Sequence, residues 1–203
     1  MTNKIVALQG DDFSKININT DTSVFIAHEA QLKNYKIFYY FPKNLSIINN
    51  KVVAQGCFIK FNYSKKKFYK ILKRQNLDLA KCKYILIRQD PPFNLDYIST
   101  TYMLDNLTKK VKIINNPSSV RSISEKLYSK KFIKYMPDTI FSKNILVIKK
   151  FFKKNKEVVI KPLYGYGGND IGLFKKFDLN LIKKLIKKHG YLMCQKFLKN
   201  IKF

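Results

Sequence analysis

Apolar residues fall along this chain in short runs separated by polar loops, and the two-residue period of strands alternates with the longer period of helices from one end to the other. Residues 5–8 form a compact apolar run closed by Gln9-Gly10-Asp11-Asp12, which predicts a buried first strand. Asp21 or Thr22 can cap a helix in which Val24, Ala27, His28 and Leu32 recur at helical spacing as far as Asn34. Residues 35–41 predict a second strand, stopped by Pro42. Two β-rich runs flanking Asn49-Asn50 predict a hairpin within residues 45–61. Residues 64–74 set Phe68, Ile71 and Leu72 opposite Lys65, Lys66, Lys67, Lys70 and Lys73, which predicts an amphipathic basic helix. A strand at residues 84–87, a helix over 95–107 and a strand over 111–114 complete a β-α-β alternation and argue for a mainly parallel sheet. Ligands of such sheets gather at the carboxyl ends of the strands, where Arg88 and Asp90 fall.

Asn115-Asn116-Pro117 marks a change of organisation, and a domain boundary is placed there. Beyond it the pattern predicts a short helix over 118–130, a strand near 139–141 and a lysine-rich helix over 144–154. A strand at 158–161, a loop over 162–170, a strand at 171–174, a helix at 179–188 and a last strand at 191–195 follow.

Composition changes the picture in one respect. The formal charge is +27, which raises the question of a nucleic-acid or anionic-membrane partner. Only Arg74, Arg88 and Arg121 of the 40 basic residues are arginine, however, and the lysines are spread over nearly every segment. Arginine is the preferred residue for bidentate base and phosphate contacts, so the charge reads first as solvated surface, with a basic nucleic-acid-binding module as the alternative. The chain is rich in Lys, Asn, Ile, Phe and Tyr and has no Trp, a usage typical of A/T-rich codons. Cys57, Cys82 and Cys194 form no CxxC pair, which speaks against a disulfide framework or a zinc site. The apolar run at 5–8 is too short for a signal peptide or a membrane span, so a cytoplasmic, reducing compartment is expected.

The stretch richest in chemistry is Val158-Val159-Ile160-Lys161-Pro162-Leu163-Tyr164-Gly165-Tyr166-Gly167-Gly168. Three glycines in four residues let backbone N–H groups approach an anion, and Lys161 adds a fixed positive charge. The arrangement is neither a Walker loop nor a dinucleotide fingerprint, since no Gly-Lys-Ser/Thr follows and the next element reads as a strand. A phosphate site and a plain hairpin turn remain equally open on this stretch alone. Lys126 is one more lysine in a lysine-rich chain, with a solvated helix residue as its plain reading.

Taken in order, the segments resemble the prokaryotic glutathione synthetases of the ATP-grasp superfamily. The resemblance is carried by Ile16-Asn17-Ile18-Asn19 with Asp21-Thr22-Ser23, by Arg88-Gln89-Asp90-Pro91-Pro92-Phe93, and by Asn115-Asn116-Pro117 through Glu125-Lys126-Leu127. It continues through Ile160-Lys161-Pro162-Leu163 with the glycines and ends on Met193-Cys194-Gln195 with Phe197-Leu198. It implies an α/β fold: a mainly parallel-sheet N-terminal substrate domain over residues 1–116, then the first part of an ATP-grasp α+β domain over 117–203. The implied activity is ATP-dependent ligation of γ-glutamylcysteine with glycine through an acyl phosphate. Lys126 and Lys161 would hold the ATP phosphates, Gly165, Gly167 and Gly168 would close over the γ-phosphate, and backbone near Gln195, Phe197 and Leu198 would meet the adenine. Arg88, Asp90, Ser23 and Asn19 would contact the dipeptide, with Arg88 the candidate for a catalytic contact. Magnesium is implied as well, but its expected ligands fall beyond Phe203, so the chain looks like an incomplete fragment, expected to be catalytically weak or dead alone, with a homo-oligomer or a complementing C-terminal polypeptide as the partners left open. Another ATP-grasp carboxylate–amine ligase is the alternative within the superfamily, and Arg88 to Phe93 argues against it.

Overall fold

The computed structural model describes residues 4–62 and 68–199. By compactness the chain divides between Ser122 and Ile123 into two units. The first contains β1 (Ile5–Gln9), α1 (Thr22–Leu32), β2 (Lys36–Ile48), β3 (Lys51–Phe61), β4 (Tyr69–Asp78), β5 (Tyr84–Ile87), α2 (Leu95–Asp105), β6 (Lys112–Ile114) and α3 (Pro117–Ser122). Its six strands lie in the order β4-β3-β2-β1-β5-β6. β1 pairs in parallel with β2 and β5, and β5 with β6, whereas β2, β3 and β4 are joined antiparallel. The sheet is therefore mixed, with a parallel half that carries the helices. Alternation along β1 sends Val6 and Leu8 to one face, against Val24 and Ala27 of α1, and Ala7 to the other, in one cluster with Leu104 of α2. Chain order reverses direction across β1 and β5, and that switch point is where an open α/β sheet leaves a crevice.

Three local expectations give way. Residues 64–67 of the expected basic helix lie outside the described residues, and Tyr69–Asp78 is strand β4 rather than helix. Tyr69, Ile71 and Leu77 are the more covered positions of that strand, and Leu72 sits where the register with β3 shifts. A bulge thus turns a two-residue period into spacing that also fits a helical stripe. Pro42 does not stop β2, because it falls inside the irregular stretch between Tyr40 and Leu45 where no ladder donor is needed. The single helix expected over 118–130 is three pieces: α3, then α4 (Glu125–Tyr128), then a 3-10 run over Ser129–Tyr135, with extended backbone at Ser124 making the break.

The second unit continues with β7 (Thr139–Ser142), α5 (Ile145–Asn155), β8 (Val158–Pro162), β9 (Gly172–Phe174), α6 (Leu179–His189) and β10 (Leu192–Lys196). The sheet order is β7-β10-β8-β9 and every pairing is antiparallel. Asn144 and Asp178 cap α5 and α6 through side-chain oxygens that accept backbone N–H bonds, and Gly190 at φ +71° ends α6. Val158, Ile160, Leu192 and Cys194 pack with Ile148, Phe151, Phe152 and Ile182 from the helices. By strand alternation Val159, Lys161, Met193 and Gln195 face the other way.

All three thiols are free and buried. Burial pushes those of Cys82 and Cys194 up to about 12 from an ordinary 9.0. Below pH 9 they are neutral whether the chain is folded or not. Above it the unfolded chain sheds protons that the folded chain keeps, so stability must fall by roughly 1.4 kcal/mol per pH unit for each thiol. Urea unfolding between pH 7 and 10.5 should show this loss, less steep in Cys194→Ala; an identical slope in that variant would contradict the assignment.

Candidate functional site

Among the described residues, the candidate residues gather at two cavities, one in each unit. In the first, the carboxyl ends of β1 and β5 converge at the switch point. The Arg88 backbone N–H donates to the Gln9 carbonyl at 2.8 Å, extending the parallel ladder by one bond and fixing where the Arg88 side chain starts. Its guanidinium reaches the start of α1, donating through Nε to Ser23 Oγ at 3.0 Å and through an NH2 nitrogen to Thr22 Oγ1 at 2.6 Å. The Asp90 N–H donates to Asp11 Oδ2 at 2.6 Å, which ties the loop after β5 to the loop after β1. Gly10 is required between them: a Cβ there would collide with the Tyr39 hydroxyl, which donates to the Asp11 carbonyl at 2.7 Å. Burial, with the Asp11 carboxylate next, raises the Tyr39 pKa and keeps the phenol protonated.

Ser23, Arg88 and Asp90 line one cavity of about 300 Å³ there, together with Asp11, Asp21 and Thr22. Asn19 is not among its lining residues; its N–H is spent on the Asn17 side chain at 3.1 Å. A guanidinium and several carboxylates within one cavity can meet a ligand carrying both an anionic and a cationic group. Thr22 and Asp11 belong to this site although the sequence named neither as a ligand contact, Thr22 only as a possible cap and motif residue and Asp11 only in the loop that closes the first strand. Their signal was weak, because a cap position and a strand-end Asp are ordinary features of any α/β chain.

In the second unit the outward face of β8 and β10 forms the floor of a cavity of about 390 Å³. Lys126, Lys161, Gly165, Gly167, Gly168 and Gln195 all line it. The Lys126 side chain, 10% exposed, runs from α4 to donate through Nζ to the Gly165 carbonyl at 2.6 Å, and its Nζ lies 3.6 Å from Glu125 Oε1. Lys161 Nζ donates to Gln195 Oε1 at 2.8 Å. The loop between β8 and β9 turns through Gly167 and Gly168 at φ +59° and +76°, conformations that side chains disfavour. At its far end Asp170 binds Lys188 at 2.7 Å and lies 3.0 Å from His189 Nε2. That pairing, led by the Lys188 hydrogen bond, lowers the Asp170 pKa.

Phe197 and Leu198 do not line this cavity, and the Phe197 N–H is spent on the Glu157 carbonyl at 3.1 Å. Phe132, Tyr135 and Met136 supply an apolar wall that no motif announced. Two ammonium groups, a glycine loop and an apolar wall suit a ligand with a polyanionic end and a flat apolar end. Among the described residues no group of three or more His, Cys, Asp or Glu could hold a metal ion, and no helix is long and apolar enough to cross a membrane.

Comparison with known proteins gives these sites a context. Residues 5–121 match the family described as prokaryotic glutathione synthetase, N-terminal domain, and residues 125–203 match its ATP-grasp domain. The chain belongs to the prokaryotic glutathione synthetase family. Among its relatives, glutathione synthetase of Mesorhizobium japonicum is 34% identical over 202 residues, covering 97% of this chain and 64% of its own length. Glutathione synthetase of Escherichia coli strain K12 is 34% identical over 197 residues, covering 95% and 62%. The chain thus spans less than two thirds of the length of these glutathione synthetases. In fold it is similar to D-alanyl-alanine synthetase A of Vibrio cholerae, with a TM-score of 0.59 at 12% identity over 98% of this chain and 60% of that one. A RimK domain ATP-grasp protein of Sphaerobacter thermophilus gives a TM-score of 0.57 at 12% identity, over 97% and 65%.

The two kinds of glycine in these sites differ in what they cost to replace. Gly10→Ala should destabilise by about 1–3 kcal/mol through overpacking against Tyr39. Gly168→Ala, with nothing within 4 Å of the added Cβ, should cost only the backbone penalty of about 1 kcal/mol. Urea midpoints of the two variants will differ accordingly; a larger loss in Gly168→Ala would contradict the geometry at Gly10.

Proposed function

We propose that this chain binds the nucleotide and dipeptide substrates of glutathione synthesis: ATP at the lysine-and-glycine cavity, γ-glutamylcysteine at the Arg88 cavity. The observation that carries the reading is that Lys126, Lys161 and the three loop glycines, far apart in sequence, line one cavity. In the reaction that membership of the family implies, the γ-phosphoryl group of ATP passes to the cysteinyl carboxylate, the glycine amine attacks the acyl phosphate, and phosphate leaves. The two lysines suit such a transfer, because fixed cations stabilise charge on phosphoryl oxygens without having to reorganise. The loop would add backbone N–H groups at Gly167 and Gly168, while the Gly165 N–H donates to the Pro162 carbonyl at 3.3 Å and holds the turn. Phe132, Tyr135 and Met136 would take the base, with Gln195 beside them, and Phe197 and Leu198 would act only through backbone just beyond the cavity.

At the other site Arg88 is held by Ser23 and Thr22 so that its guanidinium stays in the cavity, ready for a substrate carboxylate. Asp90 and Asp11 offer the complementary charge for an amine, and Asn19 would contribute from the adjoining loop. Among the described residues no group of three or more His, Cys, Asp or Glu could hold the magnesium that the family implies; the contribution assigned to the chain's own residues is cationic and backbone donation to the phosphates.

Calorimetric titration of the chain with a non-hydrolysable ATP analogue tests the nucleotide site. Lys161→Ala should weaken binding roughly 10- to 100-fold, the worth of a charge-assisted hydrogen bond. Arg88→Ala should abolish γ-glutamylcysteine binding and leave the analogue untouched. Unchanged nucleotide affinity in Lys161→Ala would overturn the first assignment, and retained dipeptide binding in Arg88→Ala the second.

A further inference from the structure

β10 lies between β7 and β8, and its Gln195 stands opposite Thr139 on one side and Val159 on the other. The Gln195 side chain, 8% exposed, uses both ends of its amide. Oε1 accepts from Lys161 Nζ at 2.8 Å, and Nε2 donates to Thr139 Oγ1 at 3.0 Å. The Thr139 hydroxyl donates in turn to the Pro137 carbonyl at 2.6 Å. A hydroxyl has one proton to give. With that proton on Pro137, Thr139 can only accept from Gln195, so the amide must present its nitrogen to Thr139 and its oxygen to Lys161. The reverse orientation would set an NH2 group against an ammonium and leave two acceptors face to face.

We infer that Gln195 and Thr139 are positioning residues that aim the Lys161 ammonium at an anion in the cavity, through the relay Pro137–Thr139–Gln195–Lys161. The inference rests on the nucleotide reading above and assigns the Gln195 side chain a task separate from any contact of its backbone. An amide is suited to that task. Its oxygen orients the ammonium by accepting a hydrogen bond from one of its three N–H groups while leaving the full positive charge for the ligand, which a carboxylate at the same place would neutralise. Thr139 does not line the cavity, so its effect on binding would pass through Gln195 and Lys161.

A double-mutant cycle on the whole chain, read by calorimetry with a non-hydrolysable ATP analogue, tests this. Thr139→Val keeps the shape and removes the hydroxyl; it should weaken binding roughly 3- to 10-fold, a usual coupling between groups in one network. Thr139→Ser should restore wild-type affinity, because it keeps the oxygen. In a Lys161→Ala background, Thr139→Val should have no further effect. An equal loss in both backgrounds, or no rescue by serine, would mean a merely structural role and overturn the inference. If Lys161→Ala binds the analogue as the wild type does, the nucleotide reading itself fails. If Lys161→Ala is weakened but Thr139→Val is not, only the positioning role fails. Should Thr139→Val not fold, Thr139→Ala, which also removes the hydroxyl, carries the test in the same cycle with the same two outcomes.

Discussion

The arrangement at the lysine cavity depends on the central place of β10 in its sheet. A strand with partners on both sides puts one side chain within reach of two neighbours, which neither edge strand could do. From that one position follow the amide bridge between Lys161 and Thr139 and the burial of Leu192 and Cys194 on the opposite face. The helices α5 and α6 cover the apolar face, so only the polar face is left to meet a ligand. The first unit repeats the principle with β1, which is paired on both sides and packed on both faces. Its end delivers Gln9, Gly10 and Asp11 to the place where Arg88 arrives from β5.

How much of this could be read from the sequence follows from how local each signal is. β1, β8 and β10 were legible because a buried strand writes its period into consecutive residues. Caps at Asp21 and the glycines of the loop were legible for the same reason. The stretch 69–74 was not, since a bulge at Leu72 disturbs the alternation and lysines on an edge strand look like the polar side of a helix. Lysine on an exposed edge also has its own purpose, which is to discourage pairing with another chain. Lys161 could be picked out beside its glycines, but Lys126 was visible only through the family motif, because nothing in a four-residue helix points to a carbonyl 39 positions away. Thr139, Tyr135 and Phe132 left no local trace at all. Their roles arise from cross-strand neighbours and from a wall assembled by folding.

The charge of +27 takes its meaning from the same distinction. The lysines of α5 and α6, such as Lys149, Lys150, Lys183 and Lys184, lie on the exposed sides of helices whose other sides are core. Lys126 and Lys161 are partly covered, and each donates to an uncharged oxygen, Lys126 with the exposed Glu125 carboxylate also 3.6 Å away. Abundance therefore marks surface, and partial burial marks the two lysines proposed to meet a ligand.

The three cysteines carry a consequence of another kind. Cys57, Cys82 and Cys194 are distributed over both units, buried in separate strands or turns, and held as neutral thiols. Exchange with a disulfide needs an accessible thiolate, and the folded chain presents none. Small thiols and their oxidised forms can thus change places around this protein without capturing it in a mixed disulfide. The cysteinyl dipeptide proposed for the Arg88 cavity would benefit from that inertness, because the protein's buried sulfur would not compete with the sulfur of the ligand.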